Sequence, residues 1–282
     1  MTENVNDNKN YNMDNLKKII NSEKANVQVY LIKKQKDEYT CKIFPNQLKE
    51  NIKEMYRENF NKFITFKDNN KQDKEKSVLP YDNIHTEKGT IQFDNINDND
   101  IWLKVKKSIE EAKRTDDLLN KKNLSDQYNM IVICFEDCID EKNEKIYLVA
   151  KYIKIENWYK KSMKLSFAAD KFKEFNKEIF ILNGCIDCAI IEDEIYIFLE
   201  NNVEVLFKFN KKIVKILEEN KDTIEKCSFV NNPVEFYNLI LQNKKATRYM
   251  ARVLTKKNFD FEKLTPESVK KRLSQYNGFK DI

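Results

Sequence analysis

The stretch Ile181–Phe209, ILNGCIDCAIIEDEIYIFLENNVEVLFKF, contains the change of pattern that decides the fold. Two short apolar runs, IDCAII (186–191) and EIYIFL (194–199), meet at an acidic turn, Glu192 to Glu194, and predict a pair of strands. From about Val203 onward, apolar residues recur at the spacing of an amphipathic helix. The stretch therefore indicates where a strand-rich part of the chain ends and a helical part begins.

The segments on either side extend both patterns. Strand pairs are predicted at VQVYLIKK (27–34) with EYTCKIF (38–44), and at MIVICFEDCI (130–139) with KIYLVAKYIKI (145–155). Helices are predicted from about Asn46 to Ile64, after a cap at Asp98 or Asp100, and over the pieces VEVLFKFNKKIVKILEEN (203–220), PVEFYNLILQ (233–242), KKATRYMARVLTKK (244–257) and PESVKKRLSQY (266–276). We therefore expect an α+β fold, with a mixed or antiparallel sheet, flanking helices and a helical C-terminal third.

Composition and pattern divide the chain into three regions. Residues 1–12 are rich in Asn and Asp and poor in apolar side chains, so we expect a disordered tail, followed by a short helix capped by Asp14. Residues 13–124 are predicted to form an N-terminal α+β region. Residues 125–282 are predicted to form a second α+β region that ends in basic helices.

Glycine content argues against the common nucleotide-binding loops. Only three glycines occur in 282 residues, and neither G-x-x-x-x-G-K-[ST] nor G-x-G-x-x-G is present. Apolar runs stay far shorter than the ~20 residues that cross a bilayer, and the first residues lack a secretory signal. We expect a cytoplasmic protein with reduced cysteines and no cofactor.

Four cysteines are the candidate ligands of a zinc site: Cys134, Cys138, Cys185 and Cys188. In a regular strand, the separation of three places Cys185 and Cys188 on opposite faces, unless Gly184 introduces a bulge or turn. We therefore interpret the cysteines as small buried side chains and expect no bound metal. His85, the only histidine, lies in a polar turn, and we assign it no catalytic role.

Asp187 and the acidic turn Glu192–Glu194 are candidate Mg²⁺ ligands of a metal-dependent nuclease. The second strand, however, begins DEIYIF and lacks the Lys of the restriction-type pattern. A solvated hairpin turn explains the same residues. We expect the chain not to be an enzyme, and the nuclease is the alternative function.

Positive charge is concentrated at the C-terminal end. Residues 241–282 contain eleven Lys and Arg and four acids, a net charge of +7, whereas the whole chain carries +5. In the predicted helix after Asn243, cations recur every four residues, which predicts one basic stripe opposite an apolar face of Ala246, Tyr249, Met250, Val253 and Leu254. Such a stripe would bind nucleic-acid phosphates through release of counterions. The candidate DNA-binding residues are Lys244, Lys245, Arg248, Arg252, Lys256, Lys270, Lys271 and Arg272.

The run CIDCAIIEDEIYIFLENNVEVLFKF (185–209) resembles the signature region of the KwaB-like family, the soluble component of the Kiwa anti-phage defence system. The resemblance rests on Asp187 entering a strand, an acidic turn, the strand Ile195 to Phe198, and Glu204 shortly before Phe207. The later run KKATRYMARVL (244–254) is similar to the basic helix of these proteins. Val203 departs from the family, whose members commonly carry Phe there.

This resemblance implies a defence protein that binds phage DNA and impedes its replication or processing. It also implies a partner, a KwaA-like membrane protein, which would hold this chain at the periphery of the inner membrane. We further expect a homodimer or higher homo-oligomer. A third alternative is an adaptor whose C-terminal cations contact anionic lipid or an acidic protein instead of DNA.

Overall fold

A computed structural model describes residues 4–46, 49–81, 89–120, 122–123, 126–137, 144–152, 165–168, 171–174, 182, 184–226, 230–255, 265–267 and 271. For positions 4–12, 137, 144, 165–168, 171–174, 210, 212, 244, 245, 252 and 255, this description covers the main chain only. The chain divides into two compact units. The sheet unit comprises Met1–Tyr81 and Glu87–Phe207, and the helical unit contains Lys208–Ile282.

An eight-stranded sheet organises the first unit. Its strands lie in the spatial order β2 (Glu38–Ile43), β1 (Asn26–Gln35), β7 (Met130–Asp137), β8 (Glu144–Lys151), β11 (Cys188–Ile191), β12 (Glu194–Ile197), β6 (Thr90–Asn95) and β5 (Ser77–Pro80). Neighbouring strands are antiparallel, except that β5 and β6 are parallel. Two small hairpins pair β3 (Thr65–Lys67) with β4 (Asp73–Glu75) and β9 (Leu165–Ala168) with β10 (Lys171–Glu174).

Helices cover both faces of this sheet. Those of the sheet unit are α1 (Asn4–Asn21), α2 (Lys49–Ile64), α3 (Asp100–Thr115) and α4 (Glu200–Phe207). One face packs against α1 and α2 through alternate strand residues such as Leu31 and Ile133. On the other face, the ring of Trp102 in α3 lies 5.2 Å from that of Tyr147 in β8. Because both faces are buried, the central strands are continuously apolar, as their sequences are.

The helical unit is built on a small apolar cluster. Its described helices are α5 (Asn210–Glu219), α6 (Lys221–Glu225), α7 (Pro233–Gln242) and α8 (Lys244–Thr255). Their buried apolar side chains are Ile213, Leu217, Ile224, Tyr237, Ile240 and Ala251. Residues from α5 to α8 all contribute, so the cluster joins these helices in one core.

The predicted α+β class is confirmed, and several element boundaries differ from prediction. Helix α1 begins at Asn4, not at Asp14, and so runs through most of the segment for which composition predicted disorder. Burial of Met13, Leu16 and Ile20 anchors its second half, and a helix extends at little cost once it is nucleated.

The predicted helical piece 203–220 is interrupted at Lys208. Its φ of 53° is left-handed, a conformation that ends a helix, so α4 and α5 are separate. The cap of α3 is Asn99 rather than Asp98 or Asp100. Its Oδ1 accepts from the N–H groups of Ile101 and Trp102, while its Nδ2 donates to the carbonyl of Phe207 at 2.9 Å. An aspartate could not make the last bond, because a carboxylate donates no hydrogen.

Strands from both sides of the predicted 124/125 boundary share the sheet. β1 pairs with β7 from Asn26 to Ile32, and β12 pairs with β6. The compact units divide after Phe207 instead. Strand pairing at both edges explains why no linker composition marks residue 125.

Candidate nucleic-acid-binding site

The hairpin of β11 and β12 contains the residues of the predicted signature. Cys188 faces Ile197 and Ile191 faces Glu194 in its register, so the turn consists of Glu192 and Asp193. Glu192 has a φ of 50°, which closes the tight turn. β11 also pairs with β8, and β12 with β6, which places the hairpin inside the sheet.

Asp187 is a buried junction at the start of this hairpin. Its carboxylate accepts from the main-chain N–H of Lys151 at 2.6 Å and from Nδ2 of Asn202 at 2.9 Å. Its carbonyl accepts from the N–H groups of Phe198 and Leu199, each at 2.9 Å. One residue therefore ties together the end of β8, the end of β12 and the first turn of α4. Burial raises the pKa of Asp187 above its ordinary value, against the opposing effect of the bond from Asn202.

The acidic residues of the nuclease alternative do not converge around Asp187. Asp187 lies before β11 and the turn Glu192–Asp193 lies after it, a strand length of about 15 Å. Glu194 accepts a hydrogen bond from the hydroxyl of Tyr196 at 2.8 Å. Among the described residues, no group of three or more His, Cys, Asp or Glu has the geometry to hold a metal ion.

The described cysteines are separated in environment. Cys188 is fully buried in β11, whereas Cys185 is exposed, in agreement with the strand geometry that predicted opposite placement. Burial raises the pKa of Cys134 and of Cys41, each to about 12, which keeps both thiols protonated at neutral pH. Cys138 and His85 lie outside the described residues.

The remaining signature residues are core positions. Val203, Glu204 and Phe207 are buried in α4, and the ring of Phe207 lies 6.2 Å from Trp102. Val203, the departure from the family pattern, is 1% exposed. Asn202 was missed at the sequence level, because an Asn in an Asn-rich chain gives no signal of its own.

Helix α8 carries five of the predicted DNA-binding positions in or directly after it. Its buried side includes Thr247 and Ala251, with Met250 and Leu254 packed against the apolar cluster. The hydroxyl of Thr247 lies 2.6 Å from the carbonyl of Ile240 and 3.0 Å from that of Asn243, and can donate to either. These contacts fix the rotation of α8 about its own axis.

This rotation corrects two sequence-level interpretations. Tyr249, predicted on the apolar face, is 47% exposed. Arg248, predicted on the outward stripe, is half-buried, with its Nε and Nη2 atoms enclosed. The period of four identified a basic helix but misjudged which of its sides is outermost.

The other predicted DNA-binding residues are only partly described. Lys271 is exposed. Lys244, Lys245 and Arg252 have their main chain in α8, while their side chains lie outside the description. Lys256, Lys270 and Arg272 lie outside the described residues altogether. The described geometry therefore fixes the helix that carries these positions but not a phosphate-binding arrangement of their side chains.

These features define an α+β protein whose last third is a basic helical unit. A family model described as Kiwa protein KwaB-like matches residues 127–278, more than half of the chain. The chain belongs to this KwaB-like family, which is a component of the Kiwa anti-phage defence system and acts with partner proteins. No curated protein and no solved structure matches it.

The matched region has a simple place in the fold. It contributes β7, β8, β11 and β12, which are four adjacent strands in the middle of the sheet, together with α4 and most of the helical unit. Residues before 127 supply β1 and β2 at one edge and β5 and β6 at the other. None of the described helices is long and apolar enough to span a membrane.

Proposed function

We propose that the chain is the DNA-binding component of its Kiwa system, which binds phage DNA largely independently of sequence and impedes its replication or processing. A KwaA-like membrane protein is proposed to hold it at the inner membrane. The observation that carries the proposal is the net charge of +7 in residues 241–282, carried in part by α8. Membership of an anti-phage defence family supports the same function.

The arrangement of α8 supports a surface role for its cations. Its apolar side chains are used in the core of the helical unit, which leaves positions 245, 252 and 256 on the opposite side of the helix by their spacing of 100° per residue. Cations held on a helix of fixed orientation neutralise successive phosphates, and each neutralised phosphate releases counterions. Affinity of this kind depends on backbone charge and hence not on base sequence.

Burial of Arg248 determines which variants test the proposal. Its enclosed guanidinium makes substitution there a packing change as well as a charge change. The informative variant is therefore Lys245→Gln/Arg252→Gln/Lys256→Gln. A matched control removes three cations from the sheet unit, Lys62→Gln/Lys67→Gln/Lys107→Gln; Lys62 and Lys67 have 72% and 69% exposed side chains.

The measurement is fluorescence anisotropy on a mixed-sequence duplex over a series of salt concentrations. We expect the affinity of the full chain to fall as salt rises, with a slope of log K against log salt that becomes shallower by about 0.9 for each phosphate contact removed. The control variant should keep both affinity and slope. Absence of duplex binding by the unsubstituted chain at low salt would refute the proposed function.

Flotation with anionic vesicles distinguishes the adaptor alternative. If α8 binds DNA, added duplex competes with the vesicles for the chain, and the triple variant loses both interactions. If the chain floats and duplex does not compete, the cations serve a lipid surface and the DNA-binding proposal is wrong. The nuclease alternative has no geometric support, because Asp187 and the acidic turn lie at opposite ends of β11.

A further inference from the structure

Tyr249 is an exposed aromatic residue on the basic helix. Its side chain is 47% exposed, and it lies in the middle of α8. An aromatic ring of this size at a solvent-facing position removes no apolar surface from water within its own unit. Its exposure therefore calls for a role outside the core of the helical unit.

The outward position of Tyr249 follows from what anchors the helix. Thr247 and Ala251 are 7% and 4% exposed, and the Thr247 hydroxyl is within hydrogen-bonding distance of main-chain carbonyls at the end of α7. At 100° per residue, position 249 lies about 160° from both of these inward residues. Tyr249 is thus held on the side of α8 opposite the core, and a slight rotation of the helix would not bury it.

Cationic positions surround Tyr249 on this side. Positions 245 and 252 are its i−4 and i+3 neighbours in α8, the two spacings that bring residues together on a helix surface. Both are cationic, as Lys245 and Arg252. The combination of an exposed ring with flanking cations is the one that binds single strands, where bases stack on the ring and phosphates contact the cations.

We propose that Tyr249 stacks on an unpaired base and that the α8 site consequently prefers single-stranded DNA to duplex DNA. This inference rests on the proposed function and names its substrate class. In a duplex the bases are already stacked on each other, so the ring gains contact only where a strand is open. The preference would direct the protein to DNA that is being replicated or processed, where single strands occur.

The test compares two probes on the full chain, a fluorescent oligothymidylate of about 20 nucleotides and a duplex of the same length. Tyr249→Ala removes the ring, and Tyr249→Phe retains it. The matched control is Leu239→Ala, which truncates a side chain 55% exposed on α7. Thermal unfolding followed by circular dichroism checks that all three variants are folded as the unsubstituted chain is.

For Tyr249→Ala we expect single-strand affinity to fall about 5- to 150-fold, the range that corresponds to the loss of one stacked base. Duplex affinity should change by less than about 2-fold, while Tyr249→Phe and Leu239→Ala should match the unsubstituted chain on both probes. Equal losses on both probes, or no loss on either, would overturn the stacking role while leaving DNA binding intact. Failure of the unsubstituted chain to bind either probe would overturn the proposed function as well.

Discussion

The sheet unit and the helical unit use their polar side chains in different ways. In the sheet unit, Asp187, Asn99 and Arg57 bond to main-chain groups of other elements and fix where strands and helices meet. In the helical unit, an apolar cluster joins the helices, and the last 42 residues carry a net charge of +7. The first set of polar groups therefore acts on stability, while the proposed role of the second is to act on a ligand. Each prediction below tests this division.

The largest effect is expected from truncating the apolar cluster of the helical unit. Leu217 in α5 is 0% exposed, so Leu217→Ala leaves a cavity and should lower the free energy of unfolding by about 2–5 kcal/mol. Urea denaturation followed by circular dichroism measures the loss. Leu239→Ala, the same change at an exposed position, should cost less than about 0.5 kcal/mol. Similar losses for the two variants would mean that this cluster does not hold the unit together.

Removal of the Asp187 carboxylate should have the next largest effect. Asp187→Ala leaves the N–H of Lys151 and the amide of Asn202 without their acceptor in a buried place, a loss of about 2–4 kcal/mol. Asp193→Ala in the exposed turn is the control and should be neutral within about 0.5 kcal/mol. If Asp187→Ala unfolds at the same urea concentration as the unsubstituted chain, the junction described here is not structural.

The sequence alone predicted the elements of the sheet better than their arrangement. Apolar alternation identified the strand pairs β1–β2, β7–β8 and β11–β12, because short turns join the partners of each pair. It could not predict that residues before 127 would supply both edges of the sheet. Pairing of β1 with β7 and of β6 with β12 is non-local, and nothing in the local pattern of a strand specifies its distant neighbour.

The candidate site was predicted to a similar depth. Charge counting identified α8 and its cations, but the rotation of the helix depended on Thr247, a polar residue that is 7% exposed. Its hydroxyl reaches carbonyls at the end of α7, so a residue expected at the surface lies in the interior. Tyr249 is correspondingly outward. Patterns of apolar residues miss such positions, because a hydroxyl that bonds to the main chain is buried without being apolar.

Arg57 offers a test of a helix end in the sheet unit. From α2, its Nε and Nη2 atoms donate to the carbonyls of Ile20 and Ser22 at the end of α1, at 3.1 and 3.0 Å. Arg57→Ala should destabilise the protein by about 1–2 kcal/mol in urea denaturation, because two carbonyls lose charged donors. Arg57→Lys keeps the charge without the planar fork and should recover part of this loss. If Lys recovers all of it, charge at the end of α1 matters and the geometry of the fork does not.

Thr247→Val tests the anchoring of α8 at nearly constant volume. The substitution removes the donor to the carbonyl of Ile240 and should cost about 1 kcal/mol, whereas Thr247→Ser keeps the hydroxyl. The variant also sharpens the comparison of the two units, since loosening α8 should change DNA affinity if the orientation of its cationic side matters. Equal stability of the Val variant and the unsubstituted chain would show that packing of Ala251 and its apolar neighbours alone orients the helix.

The smallest effect concerns the pH dependence of the Asp187 junction. Burial raises the pKa of Asp187 in the folded protein, so the stability that the neutral acid contributes is complete below its unfolded pKa, 3.8, and is lost as the pH rises through the folded pKa. Asp187→Asn does not titrate, and the side-chain amide of Asn202 can rotate to present its oxygen to the new amide.

Urea denaturation of both proteins between about pH 4 and about pH 7 should therefore show that the cost of Asp187→Asn is greatest at the acidic end. A cost that grows toward neutral pH would mean that the bonds from Lys151 and Asn202 favour the ionised carboxylate by more than burial disfavours it. The junction would then be a charged centre inside the sheet unit, and the contrast with the cationic helical unit would be one of sign as well as of burial.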